Sequence, residues 1–226
     1  MKLYDLAFAD PDVRFSPFCW IAKFGLLHKG IPFETVPLRF TEKENYPDQD
    51  HGKLPILADG ETIVCDSANI LTYLDDKFPA KPLTATPGEQ SAAIFANAFV
   101  GAHIFPALAP MLMWRVCTGA HADDQAYFRE TREKRFGITL EELSKTPGLK
   151  EKAEAAMSLL AAPLSEKPFL GGDAPNLSDY YVMSPLMWQR CITSEKLYET
   201  PAAVTDWQDR MLDAFDGYGR KAKTAG

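Results

Sequence analysis

The chain has 226 residues, 46% of them hydrophobic and 24% charged, with a formal net charge of −7. That is enough chain for one large domain or two smaller ones, each with a real core, and the acidic balance argues against a nucleic-acid partner, which needs a basic face. The four cysteines (Cys19, Cys65, Cys117, Cys191) stand far apart, with no CxxC pair and no metal-ligand spacing to the four histidines. They read as reduced thiols of an intracellular protein, and no metal site is expected. The first residues lack a basic stretch followed by an apolar core, so no secretory leader is expected.

In chain order, residues 2 to 8 (KLYDLAF) predict a strand and residues 14 to 30 (RFSPFCWIAKFGLLHKG) a helix. Ser16 stands at the N-cap, Pro17 at the first turn and Gly30 at the stop. A strand that delivers a polar residue to a helix N-terminus creates a place for an anion or a thiolate, because the free N–H groups and the dipole favour negative charge. Taken alone, a serine before a proline is also an ordinary cap. Ile31 to Leu38 reads as a second strand, and Arg39 to Gly52 as polar loop with one helical turn. KLPILADGETIVC predicts two short strands joined at Asp59-Gly60, a tight-turn pair. DSANILTYLDDKFP predicts a helix capped by Asp66 or Ser67, with Ile70, Leu71, Leu74 and Phe78 at helical spacing and Pro79 as the stop.

Residues 79 to 88 (PAKPLTATPG) hold three prolines and a glycine, and the composition changes across them. Everything beyond reads helical, in segments near 89–118, 123–144, 149–163, 176–191 and 199–216. The expected organisation is therefore α/β plus all-α: a domain over 1–80, a linker over 81–88 and a helical domain over 89–226. Ser91 to Trp114 carries no formal charge and is long enough to span a bilayer. Asn97, His103, Pro106 and Pro110 interrupt it, so a buried, proline-bent helix is expected rather than a membrane span. YFRETREKR (127–135) interleaves Glu130 and Glu133 with its basic residues, as a solvated helix face does.

Ser16-Pro17, Leu54-Pro55 and Asp66-Ser67, in this order and at these separations, resemble the glutathione transferases over essentially the whole chain. The resemblance implies a thioredoxin-like N-terminal domain followed by an all-helical domain, with glutathione as co-substrate. SPFC then stands where redox relatives carry CxxC, and Leu54-Pro55 at the cis-proline turn, where Leu54 offers N–H and C=O to the cysteinyl unit of glutathione. Asp66 and Ser67 would grip the γ-glutamyl ammonium and carboxylate. Lys53 suits the glycyl carboxylate, and His51 is a further candidate contact. A hydroxyl donating to the sulfur favours its thiolate over a thiol of pKa ~8.5, and Ser16 is the residue expected to do so. Tyr4, which is more naturally placed in the sheet, and Cys19, which would be buried one turn into the helix, are the rivals.

Two further stretches, LGGDAPNLSDY (170–180) and DWQDRMLDAFDGYGR (206–220), resemble the bacterial β-etherase branch, and Ser16, Pro17 and Trp20 match the SPxxW form of fungal etherase-like relatives. Asn176 and Asp179 form the reciprocal helix cap of the first stretch. The resemblance implies an apolar, aromatic electrophile, with β-aryl ether cleavage as one form of the reaction. Phe18, Phe105, Met111 and Trp114 are the candidates to line its site. It also implies a cytoplasmic homodimer without nucleic-acid or membrane partners. A glutathione-dependent peroxidase and a non-catalytic carrier of aromatic compounds are the competing functions.

Overall fold

A computed structural model describes residues 1–226. Strand β1 (Lys2–Leu6), helix α1 (Pro17–Lys29) and strand β2 (Glu34–Leu38) form a βαβ unit in which β2 lies parallel to β1, with Leu3 opposite Thr35. Strand β3 (Ile56–Asp59) runs antiparallel on the other side of β1 with Ile56 opposite Tyr4, and a hairpin leads to β4 (Thr62–Cys65). The sheet order is β2-β1-β3-β4, and α2 (Ser67–Lys77) returns across it. This is the thioredoxin-like arrangement. The second strand begins later than the apolar run suggests because Ile31 still belongs to the helix end. Gly30 turns left-handed (φ 67°), and the Ile31 N–H bonds the Leu26 carbonyl at 3.1 Å.

The remaining chain is all helical. Helix α3 (Pro87–Phe99), a π-helical turn (Val100–Ile104) and α4 (Phe105–Gly119) form one continuous rod. By length and composition this rod could cross a membrane, but its buried side packs into the core. The expected proline bend takes a different form. Pro106 has no N–H for the Ala102 carbonyl, and the backbone widens just ahead of it, with the Phe105 N–H reaching back to Val100. Helices α5 (Ala122–Phe136) and α6 (Leu140–Ser144) occupy what the sequence suggested was a single helix. Gly137, at φ 75°, ends the first, and a capping box of Thr139 and Glu142 starts the second. The charged face of α5 is more than solvated surface, because Arg129 clamps Glu141 of α6 through two bonds of 2.9 Å. Helices α7 (Leu149–Glu166), α8 (Leu177–Ile192) and α9 (Ala202–Gly217) complete the chain. Pro163 does not end α7, since the carbonyl it deprives is that of Leu159, on the exposed side.

The core crosses the boundary between the two halves, and α1 is the reason. Its Ala22 and Leu26 pack with Leu3, Leu57, Ile70 and Leu74 between the sheet and α2. Its Trp20, Ile21 and Phe24 join a much larger cluster dominated by the helical part. A helix apolar on both faces is one buried on both. Gly25 lets α2 come close, since a Cβ there would stand 2.6 Å from Leu71. On the far face, Phe24 stacks on Tyr180 of α8 with ring centroids 5.5 Å apart. His28 bonds the Tyr180 hydroxyl at 2.7 Å through Nδ1 and the Pro82 carbonyl at 3.1 Å through Nε2. These contacts hold His28 between α8 and the linker, and burial depresses its imidazole pKa. The linker is also held: Leu83 is fully buried, its N–H bonds Asp75 and its carbonyl accepts from Leu177.

Candidate active site

Three pieces of sequence converge at one end of the sheet. An antiparallel bridge between Ala7 and Arg14 holds the start of α1 beside the end of β1. Because β3 runs antiparallel to β1 with Tyr4 opposite Ile56, Leu54 and Pro55 arrive beside that same end. Cys65 lies opposite Ile56 in the hairpin, and the Asp66 N–H bonds the Pro55 carbonyl at 3.3 Å. The Ser16, Leu54-Pro55 and Asp66-Ser67 segments are thus neighbours through the register of three strands.

Each segment presents unused polar groups. Ser16 has extended backbone (φ −60°, ψ 123°) and accepts the Cys19 N–H at 3.4 Å, while its hydroxyl hydrogen is committed to no protein acceptor. Leu54-Pro55 is cis, and the Leu54 N–H and C=O make no hydrogen bond within the chain. Asp66, rather than Ser67, is the N-cap of α2, bonding the Ala68 N–H at 2.8 Å. It does so at φ 75°, a left-handed backbone that a non-glycine residue adopts at a cost. Ser67 follows in the first turn with neither its N–H nor its hydroxyl bonded. A free N–H, a hydroxyl and a carboxylate at one helix start suit an α-amino acid group.

His51 donates its backbone N–H to Asp48 at 2.9 Å, and its ring Nε2 is buried without a partner. Lys53 is exposed and unpaired. Lys43, which nothing in the sequence singles out, reaches the same loop. Its Nζ lies 3.8 Å from where a Cβ on Gly52 would stand and 5.2 Å from the Tyr127 ring.

The two rivals to Ser16 are packed away. Tyr4 lies against Ile56, Leu38 and Tyr46 in the sheet. Cys19 is completely buried, and burial together with Asp5 pushes its thiol pKa up, away from the thiolate. Cys65, next to Asp66, is also held as a thiol, pushed up to about 11 by burial and by the Asp48 carboxylate.

The apolar candidates divide. Phe18, 50% exposed two residues beyond Ser16, stacks on Phe105 with centroids 5.8 Å apart and planes at 14°. Phe105 in turn meets Trp188 of α8 at 6.1 Å. Trp188 was not legible as a site residue, and its indole N–H is buried without an acceptor. Met111 and Trp114 lie apart from this row. At about 100° per residue, Trp114 stands half a turn round α4 from Phe105. Both instead line a separate depression with Arg115, Thr118, Ser144 and Leu197, where Arg129 lies 5.2 Å from the Trp114 ring. Among all residues, no group of three or more His, Cys, Asp or Glu side chains is placed to hold a metal ion.

Known protein-family models match both halves of the chain. Residues 11–82 match the model "Glutathione S-transferase, N-terminal domain", and residues 92–218 match "Glutathione S-transferase, C-terminal domain". Glutathione S-transferase U22 of Arabidopsis thaliana is 28% identical over 195 residues, which is 80% of this chain and 72% of that protein. Glutathione S-transferase Z2 of the same plant is 36% identical over 67 residues, a match that spans 27% of this chain and 30% of the relative. A glutathione S-transferase of Ceriporiopsis subvermispora, solved in complex with glutathione, superposes with a TM-score of 0.75 at 24% identity, covering 96% of each chain. The transferase GSTFuA2 of Phanerochaete chrysosporium gives 0.74 at 25% identity, covering 96% of this chain and 92% of the other. With the C-terminal match alone spanning more than half of its residues, the chain belongs to the glutathione S-transferase family.

Proposed function

We propose that this chain binds glutathione at the meeting of α1, β3 and α2 and activates its thiol with Ser16. The observation that carries this reading is the row of unbonded groups: the Ser16 hydroxyl hydrogen, the Leu54 N–H and C=O, and the Ser67 N–H and hydroxyl. Their order matches a tripeptide laid along the end of the sheet. Asp66 and Ser67 take the γ-glutamyl end, Leu54 beside Pro55 takes the cysteinyl backbone, and Lys53, Lys43 and His51 stand near the glycyl carboxylate. The glutathione complex of the Ceriporiopsis relative supports the assignment.

The second substrate in this reading is apolar and aromatic, because the surface next to Ser16 is the Phe18–Phe105–Trp188 row. The thiolate attacks an electrophilic carbon, the C–S bond forms, and the leaving group departs with its electron pair. An aryl ether whose phenolate leaves fits the aromatic row, and β-aryl ether cleavage is the form we favour. The same row would serve a carrier that binds aromatic compounds without turning them over. The unpaired cysteines suit a reducing, cytoplasmic location. Helix α3 presents Ile94 and Phe95, 66% and 72% exposed, on one face, which suits burial against a second copy of the chain.

Calorimetric titration with reduced glutathione at neutral pH tests the binding site. One saturable site per chain is expected, with affinity reduced at least about tenfold in Ser67→Ala, where a charge-assisted bond to the carboxylate is lost. No heat into the millimolar range would remove the glutathione assignment. Full-strength binding by Ser67→Ala would remove the proposed orientation.

A further inference from the structure

Residues 39–53, between β2 and the cis peptide, hold all three candidates for the glycyl end of glutathione: Lys43, His51 and Lys53. Their regular structure is a single helical turn over Lys43–Asn45. A surface loop of this kind presents its side chains loosely unless something holds it. Here the holder belongs to the other half of the chain.

One face of α5 lies along the loop. Asp124, Tyr127, Phe128 and Arg132 recur at spacings of three and four, so they share a side of the helix. Asp124 is 1% exposed, and its Oδ1 accepts both the backbone N–H and the hydroxyl of Thr41, at 3.0 and 2.6 Å. Phe40 packs on Phe128 with ring centroids 5.2 Å apart, and the Arg132 guanidinium lies 5.6 Å from the Phe40 ring. Capping does not explain a buried carboxylate at this position. His121 already accepts the Asp123 N–H at the start of α5, and an exposed acid would serve the helix dipole equally well. Its partner across the boundary, Thr41, does explain it.

Lys43 follows Thr41 by two residues. Its Nζ is held 5.2 Å from the centre of the Tyr127 ring, and it stands beside Gly52, which lies between His51 and Lys53. Glu42, its neighbour in sequence, pairs instead with Arg39 at 3.1 Å. A lysine stem is flexible, and an aromatic ring beneath the ammonium restrains it without neutralising its charge.

We propose that α5 sets how strongly the site holds the glycyl end of its thiol. Tyr127 and Asp124 are positioning residues, Tyr127 directly beneath the Lys43 ammonium and Asp124 through Thr41. Together they aim Lys43 at the glycyl carboxylate. This role for α5 rests on the glutathione reading above and extends that site into the helical half. It makes the chain selective for glutathione over γ-glutamylcysteine, whose terminal carboxylate falls one residue short of Lys43.

The test compares the calorimetric Kd of these two thiols at neutral pH. The parent chain should bind glutathione at least about tenfold tighter, the size of a charge-assisted contact, and Lys43→Met should remove most of that preference. Tyr127→Leu, which takes away the ring, should shrink the preference by about threefold. Tyr127→Phe keeps the ring and should restore it. Asp124→Ala should narrow the preference in the same direction, and Asp124→Asn, which keeps an acceptor for Thr41, should recover it. Tyr127 is only partly buried, so Tyr127→Leu keeps the test decisive should Asp124→Ala not fold. γ-Glutamylcysteine should bind Tyr127→Leu and Asp124→Ala as it binds the parent, whereas a merely structural defect would weaken both thiols together. A parent chain that binds neither thiol would remove the glutathione reading and this role with it. Glutathione binding without a preference in the parent, an unchanged preference in Tyr127→Leu, or equal losses for both thiols would overturn the role of α5 alone.

Discussion

Ser16→Ala is expected to lower kcat/KM toward an aromatic electrophile about 100-fold, the scale of removing one preorganised donor from a developing or resident anion. Glutathione affinity should stay within about twofold, because in the proposed reading the hydroxyl acts on the thiolate and hardly on the rest of the tripeptide. The rate–pH profile gives the sharper signature. With the donor gone, the bound thiol should titrate nearer its unperturbed value of ~8.5, moving the rising limb toward alkaline pH and leaving the loss smallest there. Stability also enters, since Ser16 caps α1 through the Cys19 N–H, and loss of a cap costs about 1 kcal/mol. Ser16→Thr separates the two roles: it keeps a hydroxyl and a capping oxygen, and should retain most of the rate. Cys19→Ala should leave the rate nearly untouched, because that thiol is fully buried and burial disfavours its ionised form. An unshifted pH profile and parent-like turnover in Ser16→Ala would remove Ser16 from the mechanism.

The features legible in the sequence were those that act through local backbone chemistry. A serine before a proline announces a cap, Asp59-Gly60 announces a turn, and Leu54-Pro55 and Asp66-Ser67 stand at the start of a strand and the start of a helix. None of these depends on what packs elsewhere. Features fixed by rotation or by distant partners were not legible. Composition put Phe105, Met111 and Trp114 on one uncharged helix, but the side of α4 that faces Ser16 depends on how the rod docks against α1 and α8, and the π-helical turn shifts that phase. The doubly buried face of α1 likewise emerges only when sheet and helical bundle close on it from both sides. Asp5, Arg14 and Lys23 look like unrelated surface charges until β1 and α1 stack, because nothing in their spacing reports burial. Phe215 and Asp216 read as the tail of an amphipathic helix, since no glycine marks their left-handed turn until Gly217.

The largest effect on folding is expected at Asp179, which the sequence identified only as half of a helix cap with Asn176. In the fold its carboxylate is a hub for four donors: Oδ1 takes the Leu170 N–H and the Trp207 indole N–H, each at 2.8 Å, and Oδ2 takes the Gly171 N–H at 2.8 Å and the Asn176 N–H at 3.0 Å. It thereby ties the 170–176 loop, the start of α8 and the middle of α9 to one buried point. Burial raises the carboxyl pKa while these four donors oppose the shift. Asp179→Asn keeps the volume and leaves no cavity, so its cost isolates the hydrogen bonding. However the amide is turned, its NH2 meets two N–H groups that have no other acceptor. Losing two buried bonds to a charged group, with donors left unpaired, costs about 3–5 kcal/mol. Against a total stability of about 5–15 kcal/mol, that is a large share. Urea unfolding followed by tryptophan fluorescence should show the loss as a lower midpoint at unchanged slope. Asp179→Ala should be worse still, since it strands all four donors. A loss below about 1 kcal/mol in Asp179→Asn would mean that the donors find other acceptors, and the role of Asp179 would shrink to that of an ordinary cap.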